Sequence, residues 1–404
     1  MYGMKSSKLS IIKYYLYTFG VQMRLTRIVN ILYLVQCVHI SIVQFTLLQS
    51  IFSITQFVME VPSGMLGDFF KKKNITTYGL ILSATAQLLI CSRLVVNAEN
   101  PFVILAFAFA IEGIGRALIS GADDALFYEN IRADGYAAEY DKIRGRYQLI
   151  SSISVGIVTS LGTILYTINN SIPYIGQCIM TIISIGSIMT VKEHNVKKTL
   201  RKNENGKNSI KVFLTSILQV RNSPHIVFMM CLVCLTFGVI NTVFGIMPDY
   251  ISEIGFSNTQ TGTVFMLLSF IGGIVATQAY RISNKRYGQL VLVTVLCMSS
   301  GVSLVGLRGN KEMIFIGLAL LYVIIDVLDP IAMKSFNAYV DDSIRSTFLS
   351  MVSFMVSTST MILYPIAGII VEAFGMLTLL IAISAVVIPL LGVSCIIYKK
   401  YSVN

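Results

Sequence analysis

Apolar stretches of about 20 residues recur along nearly the whole chain, parted by short polar turns such as Asn97–Pro101 and Arg308–Asn310. A run of that length spans the hydrocarbon core of a bilayer as one helix. A helix is also the form in which such a run satisfies its own backbone there. The pattern predicts twelve spans, near residues 12–36, 44–66, 75–96, 101–128, 145–168, 173–191, 225–250, 260–280, 289–307, 312–334, 346–370 and 376–398. The longest polar stretch, Lys192–Asn222, divides them six and six. The expected fold is an all-α integral membrane protein of twelve transmembrane helices in two six-helix bundles. Residues 1–191 form the N-terminal bundle, 192–222 a cytoplasmic linker and 223–404 the C-terminal bundle. Gly206-Lys207-Asn208 in the linker lacks the upstream glycine and the Ser/Thr of a phosphate-binding loop, so the stretch reads as a solvated connector.

Composition agrees with the pattern. Of 404 residues 55% are apolar and 13% charged, about half the charged fraction of soluble domains. The net charge of +11 suggests nucleic acid, but no basic stripe with interleaved aromatics is present. The basic residues instead fall in short loops. With both termini placed in the cytoplasm, 25 of the 31 Lys and Arg lie on that side and 3 on the other, as the positive-inside rule requires. The first apolar stretch carries arginines and no small-residue cleavage site, so it reads as a retained span. Trp is absent, which leaves Tyr14, Tyr15, Tyr174, Tyr250 and Tyr398 for the interfacial belts. The seven cysteines sit mostly in apolar segments and read as packing residues. Cys231-x-x-Cys234 has no companion pair or nearby His to complete a zinc set, so no metal site is expected.

Polar residues at membrane depth are few, and each costs about 2.5–3.5 kcal/mol on insertion scales. Arg24 and Arg27 lie three apart in the first span, Glu112 and Arg116 four apart in the fourth, and Asp326 and Asp329 three apart in the tenth. Asn241 lies in the middle of the seventh. These residues are the candidate substrate and ion pathway. Arg24, Arg27, Glu112 and Arg116 also admit a structural reading as an ion-pair cluster. Asp326 and Asp329 have no basic residue in their helix before Lys334. A carboxyl held away from water and from a cation can load and release a proton near neutral pH, so Glu112, Asp326 or Asp329 is the expected coupling group. Glu60 reads as a rim residue paired with a base. Asp123 and Asp124 are divided between structural and functional roles.

One stretch between the second and third spans is distinctive: Gly64-Met65-Leu66-Gly67-Asp68-Phe69-Phe70-Lys71-Lys72-Lys73. With twelve spans and a basic central loop, it resembles the major facilitator superfamily, whose signature there is G-x-L-x-D-x-x-G-[RK]-[RK]. Gly64, Leu66, Asp68, Lys72 and Lys73 match, while Lys71 replaces the second glycine. The resemblance implies that these residues form a conformational latch. It also implies that spans 1, 4, 7 and 10, which carry the polar residues, line a water-filled path. "GIGRALISGADDALFYENI" (113–131) resembles an exporter-like branch of the superfamily. Two features depart from proton-coupled exporters: Phe109 stands where an arginine is common, and "SVGIVTSLGTIL" (154–165) lacks a Gly-Pro pair. "KIRGRYQLIS" (142–151) and "SIRSTFLSMV" (343–352) echo each other, as internal repeats of transporters do.

The reading that follows is a secondary active transporter, not an enzyme. It moves a small organic solute by alternating access, with proton-coupled efflux across the plasma membrane as the expected direction. Import of an anionic solute through Arg24 and Arg27 is the alternative. A membrane-embedded enzyme would need a nucleophile–base set or metal cluster at depth. His39, His194 and His225 all fall at span ends or in the linker. A pump would need a separate ATPase subunit, and a sensor that does not transport stays open. No cofactor is expected beyond the proton gradient. The expected partners are a small-molecule substrate and the lipid bilayer, without nucleic acid, in a monomer.

Overall fold

A computed structural model describes residues 3–120, 122–136, 140–191, 224–283, 287–307, 310–339 and 345–402. The expected linker at 192–222 lies outside them. The described chain is helical throughout. The helices are α1 (Gly3–Gln22), α2 (Thr26–Gln36), α3 (Ile42–Phe69), α4 (Lys72–Ile90), α5 (Arg93–Val96), α6 (Pro101–Ile119), α7 (Ala122–Ala133), α8 (Tyr140–Ile168) and α9 (Ile172–Met189). They continue with α10 (Pro224–Glu253), α11 (Asn258–Ser283), α12 (Tyr287–Gly306), α13 (Lys311–Tyr339), α14 (Arg345–Phe374) and α15 (Met376–Ser402).

Ten of these helical stretches are long and apolar enough to cross a membrane, and Ile153–Ile168 within α8 is a shorter apolar helix. Three expected spans differ from their sequence outline, the one at 75–96 by a break between Ile90 and Arg93. The span at 12–36 is two helices, broken at Met23–Leu25, and the span at 101–128 ends at Ile119, with α7 starting at Ala122. Outward-facing apolar side chains are abundant: Val103, Phe107, Ile182, Ile274, Ile381 and Ile396 are all more than 60% exposed. In water this would be unfavourable, but lipid tails are as apolar as the side chains.

Local chemistry explains the helix ends. Ser41 and Gln44 form a reciprocal capping box at the start of α3. Gly255 adopts φ 94° after α10, and the Phe256 amide then donates to the Ile251 carbonyl at 3.2 Å, closing the last turn. Threonine and serine hydroxyls inside spans, such as Thr55, Thr77 and Thr159, donate to carbonyls one turn back, so they enter the apolar phase already bonded.

By contact the chain divides into two compact units. One is Met1–Lys197 with Ile251–Ser269; the other is Lys198–Tyr250 with Phe270–Asn404. In the first, α6 packs on α3 and α4, α9 packs on α1 and α4, and Tyr14, Tyr17, Leu80, Phe127 and Ile188 are part of one buried cluster. In the second, α12 packs on α13 and α15, and α14 on α15, around a core that includes Met229, Leu232, Leu328, Phe336 and Phe348.

Candidate functional site

The site in the first unit starts from α6. Pro101 opens it, as proline at a first helical position does without loss of a hydrogen bond. "EGIGR" then places two glycines between two charges. A Cβ on Gly113 would lie 2.7 Å from the Phe52 carbonyl of α3, and one on Gly115 would lie 2.7 Å from the Gly79 carbonyl of α4. Backbone cannot yield as a flexible side chain can, so only glycine fits at either position. The close approach holds α6 between α3 and α4 and fixes Glu112 and Arg116, which flank the pair.

The second part is the break between α1 and α2. Arg24 stands in it, its amide turned back to the Gln22 carbonyl at 2.8 Å. Thr26 donates through both its amide (3.1 Å) and its hydroxyl (2.7 Å) to Gln177 Oε1 of α9. Leu25 is pressed against Gly162 of α8 and Gly176 of α9, where a Cβ would collide with it. The expectation that Arg24 and Arg27 lie within one continuous span is therefore corrected. Tertiary contacts with α8 and α9 stop the helix between them.

These elements bring four of the expected residues together. Arg24 lies within electrostatic range of Glu112, Arg116 and Arg27, and Glu112 within range of Arg24 and Arg116. Arg24, Glu112 and Arg116 are half-buried and Arg27 is exposed. Gln87 of α4, absent from the sequence reading, is 1% exposed and lies against Glu112. Its side chain acts on Glu112 as a hydrogen-bond partner, although neither amide atom meets strict hydrogen-bond geometry with a group among the described residues. Nearby, Tyr174 donates to Asn30 at 2.9 Å and its ring lies tilted against that of Tyr33, centroids 5.1 Å apart.

The expected latch residues divide. Lys72 forms an ion pair with Glu129 of α7. Lys73 donates to the Met189 carbonyl and, at 3.3 Å, to that of Val191; Lys13 donates to the Thr190 carbonyl at 2.7 Å. Two cations thus hold the C-terminal end of α9, where the helix dipole is negative. Leu66 is half-buried in α3. The α3 backbone includes Gly64 and Asp68, but their side-chain surroundings lie outside the described residues, as does the Asp124 side chain. Asp123 accepts a 3.0 Å hydrogen bond from Tyr17.

The second unit has a different centre. Asp326 of α13 rests its carboxylate on Gly272 of α11, where a Cβ would collide with it, and beside Tyr322. Asp329, one turn on, is exposed and is the charge acting on Asp326 among the described residues. Pro330 inside α13 has no N–H to offer the Asp326 carbonyl, so the ladder is interrupted at the acidic pair. Asn241 is exposed on α10. Asp249, 3% exposed and following Pro248, is a buried acid that the sequence reading passed over.

Ten helical stretches long and apolar enough to cross a membrane, in a chain of two packed helical units, define a multi-span membrane protein. The chain belongs to the Major Facilitator Superfamily, whose family model matches residues 15–327. It is 23% identical over 380 residues to an uncharacterized MFS-type transporter, YxaM, of Bacillus subtilis (strain 168), covering 92% of each chain. In fold it is similar to the nucleoside transporter NupG, with a TM-score of 0.75, 10% identity and 98% of each chain covered. It is also similar to a bacterial homologue of the iron transporter ferroportin in its inward-facing state (0.71, 15%, 98% of each). A third likeness is to a D-xylose-proton symporter (0.65, 13%, 97% of each).

Proposed function

We propose that this transporter is a proton-coupled secondary carrier that exports a small organic solute across the plasma membrane by alternating access, working as a monomer. Asp326 is the coupling group, with Asp329 as its neighbour. The carrying observation is Asp326 seated on Gly272 beside Tyr322, where among the described residues the acting charge is another acid. A carboxyl so placed can exchange its proton without breaking an ion pair. Glu112, by contrast, lies among arginines and serves as their counter-ion. The efflux direction rests on the stretch at 113–131 and its likeness to exporter-like members. The D-xylose-proton symporter among the structural neighbours moves its sugar together with protons, which supports proton coupling in this fold but not the outward direction.

Everted membrane vesicles energised by respiration test this reading. A panel of cationic, neutral and anionic solutes should include compounds that collapse the proton gradient with the native protein and fail to do so with Asp326→Asn at equal expression. Collapse of equal size in the variant would refute the assignment of Asp326.

A further inference from the structure

We propose that Gln177 of α9 is the positioning residue for Arg24: it caps α2 from outside that helix, and α9 braces the Met23–Leu25 break as a splint, so that Arg24 is carried on a fixed elbow rather than on a hinge. The broken first span and α9 then move as one body. The bearing on transport rests on the placement of Arg24 in the substrate and ion pathway.

A helix that starts at membrane depth has little water to satisfy its first amides. The residue before α2 is Leu25, whose side chain offers no acceptor, and α2 has no side-chain cap of its own. Gln177 Oε1 takes that role, accepting from the Thr26 amide at 3.1 Å and from the Thr26 hydroxyl at 2.7 Å. Thr26 is buried, so water does not compete for either bond. On the other side of the elbow the Leu25 carbonyl lies over Gly162 of α8, where a Cβ would collide with it.

α9 runs unbroken from Ile172 to Met189 and holds the first span on both sides of the break. On the α2 side, besides Gln177, Tyr174 donates to Asn30 Oδ1 at 2.9 Å. On the α1 side, a Cβ on Gly20 would collide with Ser184 Oγ and lie 3.1 Å from the Met180 carbonyl. Nearer the end of α9, Ser187 donates to the Lys13 carbonyl at 3.0 Å and Lys13 Nζ donates to the Thr190 carbonyl at 2.7 Å. A hinge needs a segment with few buried contacts on at least one side. Here both sides are bonded to one continuous helix, and Arg24, in the middle of the break, is kept near Glu112.

Hydrogen exchange of the purified full-length protein in lipid nanodiscs, read by mass spectrometry, tests this without solute or proton gradient, so failure here is distinct from failure of the carrier reading. Amides of residues 23–28 should exchange about tenfold faster in Gln177→Met than in the native protein, with other helices unchanged. They should keep the native rate in Gln177→Glu, which retains an oxygen acceptor in either protonation state. Phenylglyoxal should modify Arg24 at least about threefold faster in Gln177→Met and at the native rate in Gln177→Glu, with exposed Arg93 on α5 as internal reference. Should Gln177→Met fail to accumulate, Thr26→Val removes the hydroxyl bond, keeps the amide bond, and should give a smaller rise over the same residues. Rapid exchange across 23–28 in the native protein, native rates in the variant that removes the bond, equal loosening in Gln177→Glu and Gln177→Met, or faster exchange throughout the unit would overturn the proposal.

Discussion

The two units solve the same packing problem and differ in chemistry. In the first, α4 and α6 cross where Gly79 and Gly115 face each other: a Cβ on Gly79 would lie 2.6 Å from the Gly115 carbonyl, and one on Gly115 would lie 2.7 Å from that of Gly79. In the second, α12 and α13 cross at Gly301 and Gly317, with the corresponding separations 2.9 and 2.7 Å. Small residues at such crossings let backbones approach, which is the main source of helix association in lipid. The polar groups are arranged differently. Around the α1–α2 break three guanidinium groups gather about one carboxylate, with the Gln87 amide beside it. On α13 two carboxylates sit together beside an interrupted helical ladder. Glycine pairs thus set the scaffold in both units, while the charges they position differ: a mixed cluster of guanidinium groups and one carboxylate in the first, a pair of carboxylates in the second.

The comparison can be broken most severely at its shared element. Gly115→Val and Gly317→Val should each prevent accumulation of folded protein, since overpacking against backbone costs about 3 kcal/mol or more. Yield of monodisperse protein in detergent measures this, and normal yield of either would remove the packing argument. Within α11, Gly272→Ala should impair proton-driven transport strongly, because the new methyl collides with the Asp326 carboxylate. The adjacent Gly273→Ala meets nothing within 4 Å and should transport as the native protein does. Equal activity of the two would detach Asp326 from coupling. A smaller effect is expected at the end of α9. Lys73→Met removes one of its two capping cations and should lower stability by about 1 kcal/mol, read as a fall of a few degrees in unfolding temperature. The smallest change should come from Gly186→Ala, where a Cβ meets nothing within 4 Å. It should stabilise α9 by about 0.5–1 kcal/mol, read as a rise of a few degrees or less in unfolding temperature.

The spans and their charges were legible because both follow from local composition: a run of apolar residues announces itself, and an ionisable residue inside one stands out. The break at Met23–Leu25 was not legible. No proline marks it, and its causes, Gln177, Gly162 and Gly176, lie more than 130 residues further along the chain. The two glycines of "GIGR" were read as a branch motif, whereas their structural reason is the close approach of Phe52 and Gly79. Gln87 was passed over because a glutamine in an apolar helix carries no charge and belongs to no motif. Its position four residues after Ser83, which puts two polar side chains on one face of an apolar helix, is the signal the sequence offers. The lysines of the loop after α3 are legible in the sequence as a basic run, but their partners, Glu129 and the end of α9, could come only from the fold.

Solute counterflow set beside gradient-driven transport, in proteoliposomes carrying Asp326→Asn, tests the account most directly. The prediction is that counterflow, which needs binding and alternation but no net proton movement, persists in the variant, while transport driven by an imposed proton gradient is lost. Gradient-driven transport at the native level in the variant would contradict the division of labour between the two units.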